Sequence, residues 1–549
     1  MLTPEQVADF YSTHCAYWEG KRDQLRELRR LYMTRFWEPE SFPSMDGILR
    51  TEVPKAYAVV ESYLGSLYAK NPSVFVQEDV RGRGNPEVAE ATANQYLLSV
   101  REQIEDGTRL ALIYPCAFLK LAPVESVDPL KRVSCSALPP WEVLVDATAG
   151  SWEQQRYIGH AYLMPVDEAS VRYSKPVERF RPRRYSKWIE DSTVGGKPTA
   201  LGLSDPNVAP DFERWIQVVE VYDLVSDKLL VWSEDFESGQ EFLFEGVKVQ
   251  VGALDDEAAA DNEAPEADLV HETTGIPFKS ASGRPVVPIM PIYFSRDPDT
   301  PLRGYSLLSR SLDQFRELNV MRTYQAQGVR RMARQWMVRS GFLSEDGAAK
   351  VSQGLDGEVI EVDLPPGTPI EGNIIPVPQA PIPADISLYA ATVESDINAA
   401  GLLAPFTRGE VTRSTATEQQ LLAAYTSSEI GRMARTRDGM IQKVAQTYNI
   451  MLSVVLGDEA EALSLPNPVG PTILSADAGT TPMSELAKQN SLERLAPLLV
   501  QLGTPPAEVL AEIVRAYQLP ESFLVTAEAE TIVEEAIPFP NEVEVPNAG

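Results

Sequence analysis

The hydrophobic pattern predicts an amphipathic helix that starts near Gly304. Its apolar residues recur every three or four positions and fall within one half of a helical wheel, and most of its charge lies opposite. These apolar residues are Leu307, Leu308, Leu312, Phe315, Leu318, Met321, Val329 and Met332. Arg322 is a charged residue inside this apolar arc. We expect its guanidinium either to be paired or to extend along the helix to water.

A second and longer helix is predicted from about Thr415 to Val455. Thr415 and Glu418 have the T-x-x-E spacing of a capping box, which marks the start of a helix. The apolar stripe changes phase at Gly431, where we expect the helix to bend or to change its packing partners. The stripe after Gly431 comprises Met440, Ile441, Val444, Tyr448, Met451, Leu452 and Val455.

The segment between these two helices predicts a small β insertion, a short helix and a loop. Apolar and acidic residues alternate over residues 360–364 and then meet Pro365 and Pro366, which indicates a strand followed by a turn. The short helix stops near Gly401. Residues 407–414 have no regular pattern and contain glycine and charged residues, so they predict a loop.

The chain before residue 300 predicts helices first and strands afterwards. Residues 3–36, 54–68 and 86–105 each have the spacing of one helix. From about residue 139 short alternating strands take over. They include two predicted hairpins, one with its turn near residues 226–227 and one across Gly246.

Three further segments are set apart by their composition. Residues 253–272 are rich in alanine and acidic residues and are expected to form a mobile insertion. After residue 456 a Pro/Gly-rich linker with a possible strand leads to two amphipathic helices, within residues 458–525. Residues 526–549 are acidic, lack any basic residue and are expected to be flexible.

Composition and charge narrow the function of the chain. Its 549 residues are 44% hydrophobic, and 79 acidic against 49 basic residues give a formal net charge of −30. This negative charge disfavours loose electrostatic wrapping of nucleic acid by the chain. An acidic wall would suit a conduit along which DNA slides without binding. The acidity is equally consistent with a role in keeping a large assembly soluble. The three scattered cysteines favour a reduced, intracellular origin, and we expect neither a signal peptide nor a membrane span.

The motifs of the common enzyme classes are missing from the sequence. There is no G-x-x-x-x-G-K-[ST] motif, and the three histidines are not at metal-ligand spacings. We therefore expect no catalytic residue, no metal site and no cofactor. Carboxylates are numerous but ungrouped, so a metal-dependent DNA-processing enzyme stays open as an alternative.

The order of elements from residue 301 onward resembles that of the portal proteins of tailed bacteriophages. The segments that carry the resemblance are PLRGYSLLSRSLDQFRELNVMR, GEVIEVDL and TRGEVTRSTATEQQLLAAY. The resemblance implies an α+β portal fold with a mixed α/β wing, long stem helices, a small β clip and a helical crown. It extends to a wing segment in which a strand ends in a turn at Asp146, a second strand covers residues 157–164, and a helix starts at an acidic cap, Asp167.

The resemblance also implies a division of the chain. Residues 1–300 form the wing with the insertion at 253–272, residues 301–335 the stem helix, residues 336–380 the clip, residues 381–402 the second stem helix, residues 403–416 the tunnel loop, residues 417–457 the long wing helix, residues 458–525 the crown and residues 526–549 the tail.

DNA-facing candidates in the tunnel loop are Arg408, Gly409, Glu410 and Arg413. Candidates for contacts between subunits of the stem are Arg316, Arg322, Arg330, Arg331 and Arg334. Clip candidates are Glu358, Glu361, Asp363, Pro365 and Pro366.

The function implied by the resemblance is that of a DNA channel. A portal protein forms a homo-oligomeric ring, a dodecamer by resemblance alone, at one capsid vertex, through which double-stranded DNA is packaged and ejected. The implied partners are the terminase large subunit, the major capsid protein and head-completion or tail-adaptor proteins, with a scaffolding protein as a further candidate. The implied location is the virion, after synthesis in the host cytoplasm. A tail-adaptor ring is the alternative within the structural class.

Overall fold

The structure is a computed structural model that describes most of the chain between residues 2 and 456. The described residues are 2–37, 50–68, 71–76, 86–124, 126, 128–181, 215–245, 247–250, 270–273, 275–280, 283–296, 304–332, 336–338, 374–376, 384–400, 416–456, 473–477 and 495–497. The chain divides into two compact units, Met1–Leu67 with Asn71–Ala478, and Tyr68–Lys70 with Gly479–Gly549. In the second unit the structure describes Tyr68 and residues 495–497, the latter as helix.

Helices and antiparallel sheets both contribute to the first unit, which confirms the α+β class. The helices are α1 (Pro4–Glu19), α2 (Arg22–Tyr32), α3 (Lys55–Leu67), α4 (Pro86–Ser99), α5 (Arg101–Ile113), α6 (Val166–Tyr173), α7 (Leu312–Met332), α8 (Ala384–Ala400) and α9 (Ala416–Leu456). The strands are β1 (Ser73–Val76), β2 (Ala117–Pro123), β3 (Val133–Leu138), β4 (Val143–Val145), β5 (Tyr157–Pro165), β6 (Trp215–Asp223), β7 (Lys228–Trp232), β8 (Phe242–Glu245), β9 (Val247–Gln250), β10 (Val270–Thr273), β11 (Ile289–Ile292), β12 (Trp336–Val338), β13 (Ile374–Pro376) and β14 (Ile473–Asp477).

The centre of the β-rich part is a five-stranded antiparallel sheet with the order β4-β5-β6-β7-β8. A three-stranded sheet, β11-β2-β3, packs on one face through a core that includes Phe118, Tyr222 and Ile289. Helix α1 covers the opposite face with Val7 and Tyr11. Because both faces are covered, all of β6 except its first residue is buried, and its sequence WIQVVEVYD is largely apolar instead of strictly alternating.

The β6–β7 hairpin has its turn where the sequence predicts it. Asp227 adopts a positive φ of 53°, and the carboxylate of Asp223 accepts hydrogen bonds from the backbone N–H groups of Val225 and Ser226, both at 3.1 Å. An aspartate that bonds to the backbone two residues later is a typical turn former. The predicted turn near residues 226–227 is therefore confirmed.

The predicted second hairpin, across Gly246, is wrong. Strand β8 pairs with β7, whereas β9 pairs with β10 at the register His271↔Val249. Alternation predicts that a strand exists, but it carries no information about a partner that is distant in sequence. The same pairing places residues 270–272 in β10, so the mobile insertion predicted for 253–272 does not extend that far; its other residues lie outside the described ones.

Two predicted single helices are each two helices. Residues 3–36 form two helices, α1 and α2, which separate at Gly20. At this C-cap, backbone N–H groups donate hydrogen bonds to the carbonyls of Ala16 and Trp18 in the last turn of α1. Residues 86–105 belong to α4 and α5, which separate at Val100. Apolar residues are buried on both sides of each break, so the apolar spacing continues through it.

The predicted acidic cap at Asp167 is also wrong. Pro165 is the N-cap residue of α6, and Asp167 lies within the first helical turn. An aspartate there still interacts favourably with the helix dipole. The strand predicted over residues 157–164 is confirmed as β5, and Asp146 directly follows β4.

The long helix α9 runs without interruption from Ala416 to Leu456, and it passes through Gly431. Every residue of its predicted second stripe is buried, which confirms that part of the pattern. In this buried stretch α9 contacts the helices α3 and α4 and the strands β2 and β11. The strand predicted in the linker after residue 456 is β14, which pairs antiparallel with β1.

Candidate functional site

The candidate functional site is the helix pair formed by α7 and α8. The two helices pack against each other, and the strands β12 and β13 in the segment between them pair antiparallel, with Trp336 opposite Pro376. Helix α8 buries Ala390, Val393 and Ile397, at i, i+3 and i+7, which are the positions of one helix face. From α7 to α8 the chain thus follows the order helix, strand, strand and helix.

The chain enters this helix pair through a tight anchor on α5. Gly304 has a φ of +47°, and a Cβ atom at this position would lie 2.5 Å from the backbone oxygens of Pro115 and Ser295. Only glycine fits such a close approach. Two residues later, Ser306 donates a hydrogen bond to the carbonyl of Ile113 at 2.6 Å. The segment that leads into α7 is therefore joined to the end of α5.

Glu394 is the centre of an ion-pair cluster that joins three segments. Its carboxylate accepts from Lys55 of α3 at 3.0 Å and from Arg322 of α7 at 3.3 Å. The hydrogen bond from Lys55 and the charges of both cations hold the pKa of Glu394 below its usual range. Beside it, the side-chain amide of Gln325 donates to the carbonyl of Ile386 at 3.4 Å. The side chain of Glu394 is about one-third exposed, so water weakens these ion pairs. The cluster therefore positions the helices more than it stabilises them.

Two buried polar side chains of α7 bind the segment that precedes α3. Asn319 accepts a hydrogen bond from the backbone N–H of Val53 at 2.9 Å. The hydroxyl of Thr323 accepts from the N–H of Thr51 at 3.0 Å and donates to its carbonyl at 3.2 Å. These bonds satisfy backbone groups that have no strand or helix partner. They hold the N-terminal segment along the side of α7.

Arg316 links α7 to the second helix of the chain. It forms an ion pair with Glu27 of α2 and one with Asp313 of its own helix, the latter at 2.9 Å. The bonds with Glu27 raise the pKa of Arg316 above its ordinary value. Arg316 and Arg322 therefore each have an acidic partner within the same chain.

The predicted roles of the stem arginines between subunits stay predictions. Arg322 forms an ion pair with Glu394, and 42% of its side chain is exposed to solvent. Its charge is therefore neither unpaired nor buried. Arg330 and Arg331 lie in the last turn of α7, whereas Arg334 lies outside the described residues. The tunnel-loop candidates Arg408, Gly409, Glu410 and Arg413 and the clip candidates Glu358, Glu361, Asp363, Pro365 and Pro366 also lie outside them.

The sequence analysis missed the residues that hold the helix pair in place. Asn319 and Thr323 are four residues apart, and both fall inside the apolar arc of α7. Buried polar side chains at helical spacing are a signal for specific hydrogen bonds, because they are costly without partners. Glu394 gave no comparable signal, since its partners are 339 and 72 residues away.

Within the described ranges, no group of three or more His, Cys, Asp or Glu side chains is arranged to hold a metal ion. Nor does any helix in this described part combine the length and the apolar character that crossing a membrane requires. The cysteines Cys15, Cys116 and Cys135 are not joined in disulfide bonds.

No protein-family model and no curated protein matches this chain. It is similar to a solved chain in the "neck of native GTA particle computed with C12 symmetry", with a TM-score of 0.36, 13% identity, and coverage of 83% of this chain and 91% of that chain. It is also similar to one in the "neck of empty GTA particle computed with C6 symmetry", with a TM-score of 0.37, 11% identity, and coverage of 90% and 93%. At these scores and identities neither likeness decides the fold or the function of this chain.

Proposed function

We propose that this chain is the subunit of a portal ring, which occupies one vertex of a tailed-bacteriophage capsid and passes double-stranded DNA during packaging and ejection. The observation that carries the proposal is the order of elements: α7, the β12–β13 pair, the returning helix α8 and the long helix α9 buried in the wing. This is the order of stem, clip, second stem helix and wing helix to which the sequence is similar.

The outer surfaces of the helix pair support self-assembly. Leu388 and Tyr389 of α8 are large apolar residues exposed to 66% and 49%, and Tyr324 of α7 is exposed to 49%. Each lies on a helix whose opposite face is already buried within the chain. Exposed apolar side chains grouped on one surface are typical of a protein–protein contact. We propose that they contact the next copy in a ring of about twelve subunits.

The partners follow from the same proposal. The clip, residues 336–380, contacts the terminase large subunit during packaging and head-completion or tail-adaptor proteins afterwards, and the wing contacts the major capsid protein. A scaffolding protein is a further candidate during assembly. The sequence has no nucleotide-binding loop, so the energy for packaging comes from a separate motor, and the chain itself acts as the conduit.

Negative-stain electron microscopy with mass measurement on the purified chain tests the proposal. Rings with a central hole and a mass near twelve subunits are expected. Leu388→Glu places a charge on the outer face of α8 and is expected to reduce ring formation. Val171→Glu is the matched control, because Val171 is an apolar residue exposed to 82% on the wing helix α6.

Two arginine variants separate assembly from passage of DNA. Arg322→Ala removes a partner of Glu394 and is expected to weaken the rings, whereas Arg408→Ala is expected to leave rings intact and to change DNA packaging. A chain that stays monomeric at all salt and protein concentrations, with and without scaffolding protein, would contradict the proposal. In that case Mg²⁺-dependent cleavage of DNA would be the next activity to assay.

A further inference from the structure

A half-open cavity of about 90 Å³ lies between the two sheets of the β-rich part, next to α6. Its polar lining consists of Lys120 from β2, Glu220 from β6, and Arg172 and Tyr173 from α6. Apolar side chains such as Phe278 complete the wall. A volume of this size exceeds that of a single water molecule several times. The function proposed above makes no use of this cavity.

The floor of the cavity is a buried ion pair. Lys120 Nζ lies 2.6 Å from Glu220 Oε2, and both side chains are about nine-tenths buried. Burial alone would raise the pKa of Glu220, but the charge of Lys120 and its hydrogen bond outweigh burial and hold this pKa at about 2. Glu220 is therefore ionised, and the ammonium of Lys120 is its counter-charge.

The hydrogen bonds around this pair have defined directions. Tyr162 donates its single proton to Glu220 Oε1 at 2.6 Å, so in the contact of 3.3 Å between the two tyrosine hydroxyls the donor is Tyr173. Lys120 donates to His160 Nδ1 at 2.9 Å. Burial and the charge of Lys120 lower the pKa of His160, so the ring is neutral with its proton on Nε2. Each oxygen of Glu220 thus accepts one hydrogen bond from this network.

The hydrogen-bonding capacity left over at the cavity consists mainly of donors. An ammonium has three N–H bonds, and Lys120 uses two of them, for Glu220 and His160. Arg172 lines the cavity from the exposed side, and its guanidinium, 5.9 Å from the ring centre of Tyr173, forms no ion pair with a described residue. Among the lining residues, two cations and one carboxylate leave one positive charge in excess, and Glu168, one turn earlier on α6, is a further carboxylate whose charge acts on Arg172.

We propose that this cavity binds a small oxyanion, a carboxylate or a phosphate group, between the guanidinium of Arg172 and the free N–H of Lys120. Arginine donates to both oxygens of such a group at once, and a fixed cation in a partly buried site strengthens the bond. The excess positive charge matches the charge of the ligand. The proposal stands independently of the portal function, because it depends on the wing alone.

The oxyanion has two possible sources, which two probes distinguish. Inorganic phosphate represents a free or nucleic-acid-derived phosphate, and acetate represents the carboxylate of an acidic side chain on a partner protein. Each probe is titrated against the full-length chain by calorimetry and by thermal unfolding, with chloride adjusted to constant ionic strength so that general screening does not change. The probe with the lower dissociation constant identifies the source of the oxyanion.

Two variants test the site itself. Arg172→Gln removes an exposed cation without disturbing the core and is expected to weaken binding by about tenfold or more, as for loss of a charge-assisted pair. Ala122→Leu adds apolar volume on the same strand face as Lys120 and is expected to abolish binding with all charges unchanged. Arg35→Gln, at an exposed arginine that does not line the cavity, is the matched control and is expected to bind as the unmodified chain does.

Some results would overturn the proposal. Binding of neither probe, or an equal shift of the unfolding midpoint in the unmodified chain and in Arg172→Gln, would mean that the cavity holds water only. Persistent binding in Ala122→Leu would place the anion elsewhere on the surface. A structure determined in phosphate or acetate that shows density between Arg172 and Lys120, absent in chloride alone, would support it.

Discussion

Arg437 is the largest fully buried side chain described in the chain. It lies in α9, donates to the carbonyl of Leu67 at the end of α3, and pairs with Asp438 at 2.6 Å. The last carbonyls of a helix have no partner within that helix, so an arginine there supplies missing donors as well as favourable charge. Arg437 therefore joins the long helix to the end of α3.

Replacing Arg437 by alanine is expected to destabilise the chain by about 3 kcal/mol, because the change leaves a cavity and removes the donors of a buried carbonyl. Denaturant unfolding followed by circular dichroism measures the change. Arg435→Ala is the matched control, since Arg435 is exposed on the same helix, and a change within about 0.5 kcal/mol is expected there. Equal effects of the two substitutions would contradict this role for Arg437.

Glu142 is a fully buried carboxyl whose two oxygens have no hydrogen-bond partner among the described residues, and the nearest base, His160 Nε2, is 4.0 Å away. Burial raises its pKa well above the ordinary value of 4.5, so the native state favours the protonated form. The unfolded state releases this proton at lower pH than the native state. The contribution of Glu142 to stability is therefore greatest below the unfolded pKa and is lost as pH rises towards the native pKa.

Glu142→Gln keeps the shape of the side chain and cannot ionise. We expect the variant to unfold at a higher temperature than the unmodified chain, by a margin that grows as the pH rises above the ordinary carboxyl pKa of 4.5. Thermal unfolding at several pH values measures this margin. Glu178→Gln, at an exposed glutamate, is expected to show no such growth. A Glu142→Gln variant that is less stable at the higher pH would mean that Glu142 is ionised and paired in the native state.

At the scale of elements, the helices α8 and α9 were predicted more fully than the β-rich part. The end of α8 and the buried second stripe of α9 agree with the sequence pattern, because apolar spacing follows from burial of one helix face. The start of α9 at Ala416 agrees with the capping-box prediction, although Thr415 itself lies outside the described residues. In the sheets, β5 and the β6–β7 hairpin were predicted, whereas β2 and β3 precede the predicted strand region and the partner of β9 was not predicted.

Glu394→Ala tests how the elements of the helix pair are held together. The variant loses the bonds to both Lys55 and Arg322, and because Glu394 is about one-third exposed we expect a loss of only about 0.5–1 kcal/mol. The expected observation is faster amide hydrogen exchange in α8 and in residues 50–55. Asp396→Ala, at an exposed acidic residue of the same helix, is the control and is expected to leave exchange unchanged. Unchanged exchange in both variants would show that the apolar contacts suffice.

At the scale of the whole molecule, the net charge of −30 bears on the proposed passage of DNA. Binding of DNA by proteins depends on neutralising phosphates with lysine and arginine, and this chain has an excess of carboxylates. In the proposed ring, such chains would enclose DNA without binding it tightly.

We therefore expect the purified chain to retain no linear double-stranded DNA in a gel-shift assay at about 0.15 M salt. A basic DNA-binding protein, assayed in parallel, shows that retention is detectable. Tight retention that weakens steeply with added salt would contradict this prediction, because it would require a basic surface that the overall charge conceals.

Local patterns predicted many of the helices, several strands and the β6–β7 turn, since each depends on residues only a few positions apart, such as Asp223 with Ser226. The α+β class was implied by the resemblance in the order of elements. The tertiary structure alone decided the breaks at Gly20 and Val100, the pairing of β9 with β10, and the partners of buried charges. Lys120 and Glu220 are 100 residues apart, and Arg437 and Leu67 are 370 apart. Such pairs form because folding removes these groups from water and leaves each charge or carbonyl with one available partner.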